Sequence, residues 1–90
     1  MKYAIIRQEY DEDCDDIILP IVVAIYDDFY ACRKRIVAEA HDILEEYTKN
    51  RFEYVGKVVC EDAPALTASI LSQNGTYLDC AIWVQEVQDH

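Results

Sequence analysis

Apolar residues recur at steps of three and four between Phe29 and Tyr47, and at looser two-residue steps through most of the remaining chain. Phe29, Cys32, Ile36, Ala40, Ile43 and Tyr47 share one side of a 3.6-residue turn, and Val37 and Leu44 widen the stripe. That spacing predicts an amphipathic helix of about five to six turns. Asp27 and Asp28 stand just ahead of it, where either side chain can cap the helix and both place negative charge on its positive end. Glu45 precedes Lys49 by four residues, a favourable pair on a helix surface, and Asn50 marks the stop.

The other segments read as strands. Tyr3 to Tyr10 alternates, though neither its odd positions (Tyr3, Ile5, Arg7, Glu9) nor its even ones (Ala4, Ile6, Gln8, Tyr10) are uniformly apolar. Ile17 to Tyr26 follows an acidic connection. Pro20 within it has no N–H to give a ladder, so its first half belongs at an edge or bulge, with Val22, Val23 and Ile25 as strong strand formers behind. Arg51 to Cys60 alternates loosely and is punctuated by Glu61-Asp62-Ala63-Pro64. Leu66 to Gln73 and Thr76 to Val87 flank Asn74-Gly75, a pair suited to a type I′ turn. Counting outward from that turn sets Leu71 opposite Leu78, Ser69 opposite Cys80, Thr67 opposite Ile82, and Leu66 opposite Trp83. The expected order is ββαβββ. The expected fold is α+β, with a mostly antiparallel sheet and one amphipathic helix packed on one face.

Ninety residues make a single domain, 1–90, with one modest core. One helix cannot cover both faces of five strands, so the other face is polar, or meets a second copy or a partner. The last hairpin carries Trp83 on one expected face and Leu78, Ile82 and Val84 on the other, which favours a homodimer or partner contact. A Tyr- and Thr-rich face left partly open on a monomer accounts for the same residues.

Charge narrows the function. Eighteen acidic residues against eight basic ones give a formal net charge of -10. Phosphate backbones would repel such a chain, so no direct nucleic-acid binding is expected. The longest apolar stretch, Ile17 to Tyr26, is too short to cross a bilayer, and only four apolar residues lie between Lys2 and Arg7, which is no signal peptide. A cytoplasmic protein with no membrane association is the default expectation. Cys14, Cys32, Cys60 and Cys80 have no C-x-x-C spacing, so a zinc or dithiol site is not expected, and the last three are expected as small core hydrophobes. Carboxylates around Cys14 suppress its thiolate and make it a poor nucleophile.

No catalytic motif emerges. Asp11-x-Asp13-x-Asp15 opens like a calcium loop, but the sixth position is Asp16 rather than Gly, and the twelfth is Val22 rather than Glu. No metal and no cofactor are expected. His41 lies on the polar side of the helix and His90 is the last residue, so neither is paired with a nucleophile by sequence. Gly56 and Gly75 are isolated, explained by a bulge and a turn rather than a phosphate loop. Arg33, Lys34 and Arg35 fan over about 200° of a helix, so they form no single patch. Arg35 can answer Glu39, and Arg33 the helix start near Asp28.

What remains is the acidic surface. Glu9, Asp11, Glu12, Asp13, Asp15 and Asp16 put six carboxylates in eight residues, which must stay in water or meet something strongly positive. Asp42, Glu45 and Glu46 form a second group on the helix. Rows of carboxylates can imitate nucleic-acid phosphates and occupy the Lys/Arg groove of a nucleic-acid-binding partner. The acidic opening from Tyr10 to Asp16, the helix ending Ile43-Leu44-Glu45-Glu46-Tyr47 and the closing strand Ala81-Ile82-Trp83-Val84-Gln85-Glu86-Val87 resemble small acidic phage or mobile-element orphan proteins of the anti-CRISPR, counter-defence inhibitor type. The likeness spans the chain as architecture and composition, without a shared motif that would carry residue roles across. It implies a non-catalytic inhibitor that acts as a DNA mimic on a defence nuclease. The alternative is a housekeeping adaptor or homodimeric scaffold that binds through its uncovered sheet face. An enzyme is not expected.

Overall fold

The computed structural model describes residues 2–10, 18–62 and 66–88. Its elements are β1 (Lys2–Glu9), β2 (Ile21–Tyr26), α1 (Phe29–Asn50), β3 (Gly56–Glu61), β4 (Thr67–Ser72) and β5 (Tyr77–Val87). The five strands form one antiparallel sheet in the order β2-β1-β5-β4-β3, an α+β fold with the expected ββαβββ sequence. β5 lies at the centre, between the first hairpin and the second.

The helix forms where the three-four spacing places it. The Asp28 carboxylate accepts the Tyr30 N–H at 3.0 Å, so Asp28 rather than Asp27 is the cap. At the other end the Arg51 N–H donates to the Tyr47 carbonyl at 3.0 Å. Cys32, Ile36, Ala40, Ile43 and Tyr47 are the buried positions of α1, one per turn. They lie on Ile5 of β1, Ala68 and Ile70 of β4, and Cys80, Ile82 and Val84 of β5. Each isoleucine fully withdrawn from water there contributes about 1.5–3 kcal/mol.

β2 begins at Ile21, just past Pro20, which is thereby kept out of the ladder. β3 begins at Gly56 rather than Arg51, because Arg51–Val55 turn away from the helix, with Glu53 at a φ of 50°. Gly56 is therefore not a bulge. A Cβ there would lie 2.7 Å from Tyr54 Cε1 and 3.0 Å from Leu44 Cδ1, so glycine lets the Tyr54 ring lie down on the backbone. Cys32 and Cys80 are buried as expected, but Cys60, on the outermost strand β3, is exposed. Cys14 lies outside the described residues.

The last hairpin corrects the expected register. Ser72 pairs with Tyr77 and Leu71 with Leu78, as counted from the Asn74-Gly75 turn, but Ile70 pairs with Cys80 and leaves Asp79 as an extra residue. Beyond this bulge Ser69 meets Ala81 and Thr67 meets Trp83, one step from the expected partners. The bulge has a cause in polar bonding: the Tyr54 hydroxyl donates to Asp79 Oδ2 at 2.7 Å, and the Tyr10 N–H donates to the Asp79 carbonyl at 3.0 Å. It also moves Leu78 to the same side as Leu71, Trp83 and Lys57, away from the core residues Ile82 and Val84. Among the described residues no helix is long and apolar enough to cross a membrane.

Candidate functional site: carboxylates and the uncovered sheet

Asp11, Glu12, Asp13, Asp15 and Asp16 lie outside the described residues. The other four acidic positions divide into two groups. Glu9 ends β1 opposite Cys80, on the side that meets the helix. Asp42, Glu45 and Glu46 are exposed on the outward side of α1. Glu45 is tied to Lys49 Nζ at 2.9 Å, a fully exposed pair that holds the Glu45 carboxyl below its ordinary range. Asp42 and Glu46, one turn apart, form no ion pair among the described residues, and Glu39 is taken up by Arg35 at 3.0 Å. Arg33 reaches across to Asp62 at 3.4 Å rather than to Asp28 at the helix start.

Glu9 belongs to an internal network. Arg7 and Glu9 are two residues apart on one strand face, and their side chains are hydrogen-bonded. The Tyr47 hydroxyl, from the last helical turn, donates to Glu9 Oε1 at 3.0 Å. Partial burial pushes the Glu9 carboxyl up, but the hydrogen bonds from Arg7 and Tyr47 outweigh it and leave the pKa below the ordinary 4.5. Burial, with Cys80 and Glu9 nearby, drives the Tyr47 hydroxyl well above its ordinary value. Burial raises the Cys80 thiol, so it is an inert core group rather than a nucleophile.

A second arm continues the network. The Arg51 guanidinium lies 3.9 Å from the centroid of the Tyr47 ring and 5.5 Å from that of Tyr54, and the two rings meet edge to face at 5.6 Å. Arg51 is also within 4.0 Å of Asp79, the bulge residue that accepts from Tyr54. Glu9, expected among the contact acids, shares a group with Arg7, Tyr47, Tyr54, Arg51 and Asp79 that the sequence alone does not assemble. The one signal available was the i, i+2 placement of Arg7 and Glu9, which puts opposite charges on one strand face. This network ties helix, sheet and bulge together. It has no nucleophile–base pair, and among the described residues no group of His, Cys, Asp or Glu side chains can hold a metal.

The sheet face away from α1 carries Ala4, Ile6, Trp83, Leu71, Leu78 and Val59, with Lys57 and Glu61 at the far edge. Nothing in the described chain covers it. Towards β2 it becomes more exposed: Val22 and Ile25 on that face, and Ile21 on the other, each retain 57–58% of their accessible surface. Leu19, just ahead, retains 72%. Leu19 and Ile21, with Ile18, Arg7 and Glu9, line a shallow hollow of about 260 Å³. No protein-family model, no curated protein and no solved structure matches the chain.

Proposed function

We propose that the protein is a non-catalytic acidic binding protein that occupies the basic, nucleic-acid-binding surface of a partner, as an inhibitor of a CRISPR or other defence nuclease would. The observation that carries this reading is the excess of carboxylates, a formal net charge of -10 with six acids between Glu9 and Asp16. Asp42 and Glu46 add to it, since both face water and neither is in an ion pair among the described residues. A surface of that sign attracts a Lys/Arg groove over long range, speeds association, and loses its grip as salt rises. Glu9 contributes little to such docking because Arg7 and Tyr47 already hold its carboxylate.

The test is capture from a nuclease-treated bacterial lysate, with elution in a rising salt gradient. The expected result is a nucleic-acid-binding protein released at moderate salt. Changing Asp11, Asp13 and Asp15 to Asn abolishes that capture and leaves the circular dichroism spectrum unchanged, and Asp42→Asn with Glu46→Gln weakens it. Capture that survives both sets of substitutions overturns the reading.

A second reading, an adaptor or homodimeric scaffold working through the uncovered sheet face, is favoured by the position of Leu78. The bulge at Asp79 places it on that face, 42% exposed, beside Leu71. Association through this face would persist at high salt, because apolar burial is not screened.

A further inference from the structure

The two edges of the sheet differ. β3 at one edge carries Lys57 and Glu61, charges of the kind that discourage a further strand from pairing there. β2 at the other edge reads Ile-Val-Val-Ala-Ile-Tyr, without a charge or a proline, and hydrogen-bonds to β1 on one side alone. Its outer backbone groups have no strand partner among the described residues, and Ile21, Val22 and Ile25 stand 57–58% exposed beside them. The ladder to β1 skips Val23, a local irregularity between Val22 and Ala24, but no charge or proline blocks the outer side, and an uncharged, apolar edge is the geometry to which an extended segment adds.

The charges around β2 say what kind of segment fits. Asp27 and Asp28 follow Tyr26 directly and are both exposed, and Asp27 has no cation beside it among the described residues. A second copy of this chain would bring one net charge of -10 against another. We propose that the free edge of β2 takes, by antiparallel addition, an extended segment of a partner that is rich in β-branched residues and carries Lys or Arg at its N-terminal end. Every pairing in the sheet is antiparallel, and an antiparallel newcomer lays its N-terminal residues beside the C-terminal end of β2, where Asp27 and Asp28 stand. Its alternate side chains extend the apolar face that Ile6, Val22 and Ile25 already carry to the edge. The preference for a basic segment rests on the acidic-docking reading above; the strand pairing itself does not.

The test uses the intact protein and three fluorescent peptides with one Val/Thr-alternating body. One has two Lys at its N-terminus, one has two Lys at its C-terminus, and one has two Glu at its N-terminus. Binding is read by anisotropy, and its location by amide hydrogen exchange. The expected result is saturable binding of the first peptide, with slowed exchange in Ile21–Tyr26 and none in Gly56–Glu61. The second peptide binds about 3- to 10-fold more weakly, and the Glu peptide more weakly still, from the loss of exposed charge pairs. Methylating alternate backbone nitrogens of the first peptide abolishes binding, as does Val22→Lys with Ile25→Lys in the protein. The peptide arm decides the matter if that variant fails to fold.

No binding by any peptide, or protection at β3, overturns the proposal. Equal binding of all three peptides overturns its charge component. Slow exchange of β2 in peptide-free protein that sediments as a dimer makes a second copy the occupant and overturns the proposal as well. Equal binding of the three peptides with protection still confined to Ile21–Tyr26 is a failure of the acidic-docking reading alone, and so is distinguishable from failure of the strand pairing.

Discussion

Replacing Tyr47 by Phe deletes one hydroxyl from the junction of helix, sheet and bulge while keeping the ring that Arg51 and Tyr54 touch. That hydroxyl donates at 3.0 Å to a carboxylate, and a hydrogen bond to a charged group contributes about 1.5–3 kcal/mol when it is shielded from water. Here the shielding is partial, because the Glu9 side chain keeps 41% of its surface exposed and water replaces part of the lost bond. The expected loss is therefore about 1 kcal/mol, a fall in Tm of about 4–8 °C for a domain of this size. Tyr47→Ala removes the ring as well, at 6% exposure, and costs about 3–5 kcal/mol. The assay is urea and thermal unfolding by circular dichroism for Tyr47→Phe, Glu9→Gln and the double variant. If the bond acts as described, the double variant loses less than the sum of the two single losses. Additive losses, or a Tyr47→Phe variant within about 0.3 kcal/mol of the parent, refute the network as a source of stability.

Two further outcomes are expected, one from Glu9 and one from the helix cap. The Glu9 carboxyl titrates below its ordinary 4.5 in the folded protein, so the unfolded chain takes up that proton first as pH falls. The stabilisation is complete above about pH 4.5 and is lost as pH drops through the lower, folded value, so urea midpoints between pH 6 and 3 decline less steeply in Glu9→Gln than in the parent. Asp28→Ala removes the acceptor for the Tyr30 N–H and lowers unfolding stability by about 1 kcal/mol, whereas Asp27→Ala, which caps nothing, changes it by less than about 0.5 kcal/mol.

The helix was legible because Cys32, Ile36, Ala40, Ile43 and Tyr47 repeat a period that only a helix satisfies, and all five are buried. The place of the Asn74-Gly75 turn was legible, since Asn74 and Gly75 take φ values of 60° and 85° at low cost, but Gln73 joins them at 51° and the connection runs from Gln73 to Thr76 rather than over two residues. The register beyond the turn was not legible. An extra residue at Asp79 is decided by Tyr54 and Tyr10, far away in sequence, and no count outward from a turn registers it. The network around Glu9 was not legible, for the same kind of reason. Its neighbours in sequence are acids in water, while its neighbours in space are Arg7 and Tyr47. Among the acidic positions, charge alone separates none from another; burial and partners do, and both are tertiary.

The central position of β5 bears on how the chain reaches this fold. Lys2 pairs with Val87 and Glu9 with Cys80, so this inner ladder joins residues far apart in sequence across a long loop. The two sequence-local ribbons, β1 with β2 and β3 with β4, share no ladder until β5 enters between β1 and β4. A two-stranded ribbon is at best marginal alone in water, so neither half has a stable state to rest in while β5 is missing. Folding therefore waits for β5, and then proceeds as one cooperative event at the slower pace of chains rich in distant contacts. Until that moment Ile5 and the buried face of the helix stay wet, and the chain is most vulnerable to proteases and to its neighbours before β5 has docked.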